Sequence, residues 1–324
     1  MRIAITGSIA TDHLMTFPGR FVEHFIPGKM DRVSLSFLVD GLDIRRGGVA
    51  ANIAFGLGVL GLSPLLVGAV GADFAPYRAW LEAHGVDCGG VRESTLRHTA
   101  RFVCTTDADG NQIASFYPGA MSEDADIELA PLAERAGGLD LVLIGASDPG
   151  AMLSHTKECQ ALGIPFAADL SQQLPRLGEP EVRALVDGAA YLFCNEYEEA
   201  LIEDKSGWSG PQILDRVGVR VTTLGPAGVR LEQAGQPPQV TGAVPEIRMA
   251  DPTGTGDAFR AGFLAAVAWG LSLERAAQLG NMLAVHVLET VGTQEYELKP
   301  ASLAERLRAV YGEAAAAELA ACYS

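Results

Sequence analysis

The sequence predicts an α/β fold: a doubly wound, mostly parallel sheet with helices on both faces and a small β-sheet lid. Three observations predict it. From about Leu139 onward, short apolar β-branched runs alternate with amphipathic stretches, the rhythm of a parallel sheet covered by helices. Earlier, two alternating runs, Thr99–Thr105 and Gln112–Tyr117, flank Asp109-Gly110-Asn111, which has the chemistry of a hairpin turn. Near the C-terminal end, the nonapeptide Asp251-Pro252-Thr253-Gly254-Thr255-Gly256-Asp257-Ala258-Phe259 leads from a tight glycine turn into an apolar stretch. That pattern gathers backbone N–H groups at a helix start, where they hold anions.

Taken in order, the chain opens on a strand-like Arg2–Thr6 with no long apolar leader segment behind it, so no secretory signal is expected. Residues from about Asp12 to Arg46 mix prolines, charges and short apolar runs and do not fit the α/β rhythm. Val49–Ala72 carries no charge and is formally long enough to span a bilayer. Its glycines, Asn52 and the Ser63-Pro64 break predict instead a buried helix, a turn and the buried strand Leu65–Val70. Gly56-Leu57-Gly58-Val59-Leu60-Gly61 matches G-x-G-x-x-G by letter but falls late in that helix, so it is read as packing and a C-cap rather than a dinucleotide site. The two irregular insertions, about 12–46 and 98–118, are expected to form the lid over the carboxyl edge of the sheet.

The alternation then runs Leu139–Gly145, a helix from Pro149, Ile164–Asp169, a helix after Glu179, Tyr191–Asn195, a helix over Glu196–Asp204, and Val219–Gly225. Asp169, Asn195 and Gly225 fall at the carboxyl ends of these strands, where such sheets bind ligands. The apolar run Ala258–Leu271 reads as a helix, and from Pro300 an alanine-rich helical tail follows. With no internal repeat and no flexible linker, residues 1–324 are expected to form one domain.

Composition narrows the function. A net charge of −16 with no basic patch argues against nucleic-acid binding. Only Lys29, Lys157, Lys205 and Lys299 are lysines, none beside the glycine motif, so magnesium and backbone amides must offset any phosphate charge. The five cysteines are odd in number and never spaced C-x-x-C, which fits a reducing cytoplasm. The six histidines show no metal spacing.

Within the nonapeptide, Gly254, Thr255 and Gly256 form an anion cradle that ends in the carboxylate of Asp257. A carboxylate beside a negative ligand is unfavourable unless it has a task, and accepting a proton from a hydroxyl that attacks phosphorus is such a task. A bare G-x-G-D is equally an ordinary helix cap.

The chain as a whole resembles the ribokinase-like (PfkB) carbohydrate and nucleoside kinase family. Gly47-Gly48-Val49-Ala50-Ala51-Asn52, Asn195-Glu196-Tyr197-Glu198, Thr223-Leu224-Gly225-Pro226-Ala227-Gly228 and the nonapeptide stand in that family's order. Thr6–His13, Ser34–Leu38, Arg101-Phe102, Ala114–Gly119 and Ser171-Gln172-Gln173-Leu174 are similar to the bacterial adenosine kinases of actinobacterial type. The resemblance implies an enzyme of purine salvage that carries the γ-phosphoryl of Mg-ATP to the 5′-hydroxyl of adenosine. Asp257 would be the general base and residues 254–257 the anion hole. Asn195 and Glu198 would organise hydrated Mg2+, and Thr223, Gly225, Gly228 and Gly256 would line the nucleotide. Asp12, Gly48 and Asn52 match the sugar-hydroxyl positions, while Ser8, Ser36, Phe102, Phe116, Gln172 and Gln173 would meet the purine, with the phenylalanines above and below it. Asp251 and Thr253, with the loop from Val287 to Gln294, would hold a monovalent cation such as K+. A homodimer paired through the β-lid is also implied, with no membrane or nucleic-acid partner.

Outside the family pattern other readings stand. Asn195 could make an Asx turn, Glu198 could sit on a solvated helix face, and Asp12 could cap a turn. Phe102, Phe116 and Phe37 could serve a subunit interface. A sugar kinase of ribokinase or fructokinase type, and a guanosine or inosine kinase, are the alternative activities. A non-catalytic nucleoside-binding protein is a further one, against which the intact Asp257 and its glycines stand.

Overall fold

A computed structural model describes residues 1–25 and 34–323. Its strands, in chain order, are β1 (Ile3–Thr6), β2 (Ala10–Thr16), β3 (Gly41–Gly47), β4 (Leu65–Val70), β5 (Asp87–Glu93), β6 (Ala100–Thr106), β7 (Gln112–Tyr117), β8 (Leu141–Ile144), β9 (Phe166–Asp169), β10 (Tyr191–Asn195), β11 (Val219–Thr223), β12 (Val229–Glu232) and β13 (Gln239–Thr241). The α-helices are α1 (Val49–Val59), α2 (Ala75–Ala83), α3 (Leu129–Arg135), α4 (Pro149–Leu162), α5 (Glu179–Val186), α6 (Glu196–Ser206), α7 (Gly210–Leu214), α8 (Thr255–Ala268), α9 (Leu273–Leu288), α10 (Pro300–Tyr311) and α11 (Glu313–Ala320).

Nine strands form the large sheet in the order β13-β12-β11-β10-β9-β8-β1-β4-β5. Every pair from β5 to β11 is parallel, and β12 and β13 add an antiparallel edge. Side chains alternate between the two faces as a pleated strand requires. Ile3, Ile5, Leu66, Leu141 and Leu143 enter a core with α1, α8 and α9, whereas Ala4, Leu65, Val67, Val142 and Ile144 enter a second core with α4, α5 and α6. The uncharged stretch is resolved as expected into the buried helix α1, a turn and β4, and no helix among the described residues is long and apolar enough to cross a membrane.

The expected lid is a separate four-stranded sheet, ordered β3-β2-β6-β7, drawn from the two insertions. In register, Asp12 lies opposite Arg45 on one side and Phe102 on the other, and Phe102 lies opposite Phe116. These residues therefore share one face of the lid, while Ile44, Val103 and Ile113 belong to the other face.

Several boundaries differ from the sequence reading. The helix of the nonapeptide begins at Thr255 rather than Ala258, so the glycine motif is itself the first helical turn. The C-terminal tail divides at Gly312, whose φ of 87° interrupts it. Phe37 is packed within the chain, its ring 4.9 Å from those of Phe17 and Phe21, which gives it an internal role. Of the first insertion, residues 26–33, including Lys29, lie outside the described residues.

Candidate active site

A cavity of about 780 Å³ opens at the carboxyl ends of β1, β8, β9, β10 and β11, beneath the inner face of the lid. The strand ends supply Ser8, Ala146, Ser171, Asn195 and Thr223, the lid supplies Asp12, Phe102 and Phe116, and the start of α8 supplies Gly254, Thr255, Gly256 and Asp257. A neighbouring cavity of about 380 Å³ shares Thr223, Pro252, Thr255 and Gly256 with the first and adds Gly225, Gly228 and an apolar wall of Val244, Phe259 and Leu288. The glycine turn of α8 thus separates two compartments.

At that turn Gly254 is the N-cap, with φ 79°, and a Cβ there would stand 2.7 Å from Thr293. Both demands restrict the position to glycine. Asp251 anchors the turn: its Oδ1 accepts from Thr253 N at 2.9 Å and its Oδ2 from Gly292 N at 3.3 Å, with Arg45 at 3.6 Å. Burial acts to raise the Asp251 pKa, but these donors outweigh it and hold the group below its ordinary value.

Asp257 is in the first turn of α8, where unpaired N–H groups and the helix dipole favour negative charge. Its Oδ2 accepts from Asn52 Nδ2 at 2.8 Å. Burial pushes its pKa up to about 7, opposed by Asn52 and Arg260 and reinforced by Asp169 and Asp12. Burial likewise pushes Asp12 up to about 6, against Arg45. Across the cavity, Asn195 and Glu198 form a capping box on α6: Asn195 Oδ1 accepts from Glu198 N at 2.8 Å, and Glu198 Oε2 accepts from Asn195 N at 2.9 Å. Burial and the nearby Asp169 raise the Glu198 pKa, and Arg260 opposes them.

On the lid side, Gly48 has φ 96°, and a Cβ on it would stand 2.5 Å from Ser8 O, so the chain can pass from β3 into α1 only with glycine. Ser8 Oγ accepts from Val49 N at 3.0 Å and so caps that entry. Phe102 and Phe116, being cross-strand neighbours, form one aromatic wall instead of the two opposed jaws expected from sequence. Gln172 is exposed, whereas Gln173 is 8% exposed and its Oε1 faces no protein donor.

Of the sequence-predicted residues, Ser36 is exposed and lines neither cavity, and Asp251 supports the glycine turn from outside both. Thr253 and every other predicted residue line one cavity or both. Sequence reading missed the buried pair Arg260–Asp169, in which Arg260 Nη2 donates to Asp169 Oδ1 at 2.8 Å and Nε lies 2.5 Å from Oδ2. An arginine on the apolar helix Ala258–Leu271 was the available signal, since a buried charge requires a partner. Ser171 Oγ also donates to Asp169 Oδ1, at 2.6 Å, and Ser171 holds φ 39°, unusual for a residue with a Cβ. Among the described residues there is no cluster of acidic, histidine or cysteine side chains able to cage a metal.

With this geometry in hand, comparison with known proteins is specific. The family model for pfkB family carbohydrate kinases matches residues 8–300. The chain belongs to that family. Among curated relatives, a nucleoside kinase of Methanothermobacter thermautotrophicus is 30% identical over 76% of this chain and 80% of that one. A nucleoside kinase of Methanocaldococcus jannaschii is 27% identical over 76% of this chain and 80% of its own. Among solved structures, the Burkholderia thailandensis nucleoside kinase in complex with inosine is 33% identical, covers 96% of this chain and 99% of that chain, and superposes with a TM-score of 0.84. This chain accordingly has the ribokinase-like fold, with its large, mostly parallel sheet and small lid sheet, and is a kinase of the pfkB carbohydrate kinase family.

Proposed function

We propose that the protein is an adenosine kinase, which transfers the γ-phosphoryl of Mg-ATP to the 5′-hydroxyl of adenosine to give AMP and ADP. The observation that carries this reading is the placement of Asp257: a carboxylate at an anion-binding helix start, facing a cavity roofed by Phe102 and Phe116. An aromatic wall offers a purine a stacking surface that a free sugar does not need. In this scheme the nucleoside lies in the larger cavity with its ribose hydroxyls toward Asp12, and the nucleotide base lies in the apolar smaller one.

The amides of Gly254, Thr255 and Gly256 hold the transferring phosphoryl. Asp257 orients the attacking hydroxyl and accepts its proton late, as a loose transition state requires. Its pKa near 7 suits that task at neutral pH. Mg2+ would be carried mainly by the nucleotide phosphates, with Glu198 reaching it through water, and would neutralise phosphate charge. A monovalent cation beside residues 251–253 and 287–294 would rest on backbone carbonyls, because the Asp251 oxygens face N–H donors and Arg45. A lid-paired homodimer in the cytoplasm belongs to the same reading, supported by exposed Ile44 and Ile113 on the outer lid face.

A second reading, inosine or guanosine kinase, is favoured by the bound inosine of the Burkholderia relative, and Gln173 is compatible with it. An amide with no protein partner on its oxygen can turn to meet either a 6-amino or a 6-oxo purine. A coupled assay with adenosine, inosine, guanosine, ribose and fructose tests both. Adenosine is expected to give the highest kcat/KM, a higher value for inosine or guanosine would replace the first reading by the second, and a free sugar in first place would sink both.

A further inference from the structure

Behind Asp257 a chain of buried polar side chains runs from Asn52 through Thr293 and Gln294 to Tyr77 and the end of the lid strand β3. Asn52, which donates Nδ2 to Asp257 Oδ2, is on α1 and is 7% exposed. Its Oδ1 accepts from Thr293 Oγ1 and from Gln294 Nε2, both at 2.9 Å. Gln294, 1% exposed, donates its other Nε2 hydrogen to Tyr77 Oη at 2.5 Å, and Tyr77 Oη donates in turn to Gly47 O at 3.0 Å. Thr293 Oγ1 is also 3.0 Å from Arg46 O. Arg46 and Gly47 are the last residues of the lid strand β3.

The donor and acceptor inventory makes this chain directional. An ionised carboxylate only accepts, so Asn52 must present nitrogen to Asp257 and oxygen to the opposite side. That oxygen requires donors, so Gln294 must present nitrogen, which then also serves Tyr77. Turning the Asn52 amide over would set its oxygen against the Asp257 carboxylate and its nitrogen against the Gln294 nitrogen, two unfavourable contacts in a buried place. We infer that Gln294 and Thr293 are positioning residues for Asp257, fixing the Asn52 amide so that one carboxylate oxygen is held and the other is aimed at the acceptor hydroxyl. This rests on Asp257 being the base. The groups that bear on its charge are Asn52, Arg260, Asp169, Asp12 and the buried phenol of Tyr296.

The test uses Gln294→Met, which keeps length and removes the donor, alongside Thr293→Val and Thr293→Ser. In Gln294→Met, kcat and kcat/KM are expected to fall together by about tenfold or more, because the misaimed carboxylate matters only once the hydroxyl attacks. Adenosine Kd by calorimetry should stay within about twofold of the parent. Losing support for a hydrogen bond that favours the charged form raises the Asp257 pKa, so the acid limb of kcat moves to higher pH. Thr293→Val should move the limb the same way, with Thr293→Ser restoring it. An unmoved acid limb in both Gln294→Met and Thr293→Val overturns the inference, as does a loss confined to KM or a Thr293→Ser variant as impaired as Thr293→Val. Failure of the underlying assignment is seen separately, as an Asp257→Asn variant that still turns over.

Discussion

At the residue scale, one carboxylate sits between two opposing influences. Burial disfavours the charge on Asp257, while the start of α8, Asn52 and Arg260 favour it, and the balance leaves the group titrating near pH 7. Only the ionised form can accept a proton from the acceptor hydroxyl, so kcat should rise with pH through about 7, measured with saturating nucleoside and Mg-ATP. Asp257→Asn keeps shape and hydrogen-bonding size but cannot accept that proton. Its turnover is expected to fall by about 10²–10⁴-fold while calorimetry still reports nucleoside binding. A variant with unchanged kcat, or one that no longer binds nucleoside, would remove Asp257 from the role of base.

At the element scale, α8 must bring Asp257 to the cavity floor while packing closely on α9. A Cβ on Gly262 would stand 2.6 Å from Leu279 O, and one on Gly280 would stand 2.8 Å from the Phe259 ring. In an isolated helix, Gly262→Ala would add about 1 kcal/mol of stability through helix propensity. Here the new methyl meets backbone that cannot swing aside, and overpacking of this kind costs about 1–3 kcal/mol. The expected outcome is a lower urea midpoint at unchanged m, lower again for Gly262→Val; a higher midpoint for Gly262→Ala would show that the helices can separate. Such elements were largely legible in the sequence. Leu65–Val70 and Tyr191–Asn195 are the strands expected from their runs, because strand length and burial are written in consecutive residues. The pairs that tune the site were not, since Arg260 meets Asp169 across 91 residues and Gln294 meets Asn52 across 242, and no local period encodes either. The sharing of one lid face by Phe102 and Phe116 was also out of reach, because it depends on hairpin register and not on which strand each occupies.

At the scale of the whole molecule, the ends of β4 and β8 and the cavity rim are joined by a buried acid that makes no ion pair among the described residues. Asp124, 2% exposed, accepts from Ala69 N at 2.6 Å at the end of β4 and is paired with Ser147 Oγ beyond β8. Its own segment, Gly119–Asp126, also carries Met121 into the cavity wall. Burial pushes the Asp124 pKa up to about 8, with Ser147 and Ala69 opposing and Asp148 and Glu123 adding to the rise. The sign follows from linkage: in the unfolded chain the group titrates near 3.8, so the folded state holds the proton more tightly. The resulting stabilisation is complete below the unfolded value and is lost as pH rises through about 8. Asparagine imitates the protonated acid at every pH, keeping an acceptor for Ala69 N and offering a donor to Ser147 Oγ. Asp124→Asn is therefore expected to match the parent in Tm near the acid end of the window and to exceed it by about 2 °C or more at its alkaline end, by calorimetry in matched buffers. A Tm difference that stays constant across that window would mean that Asp124 is ionised in the folded protein, and the link between the ends of β4 and β8 would then be an anion held by its two donors.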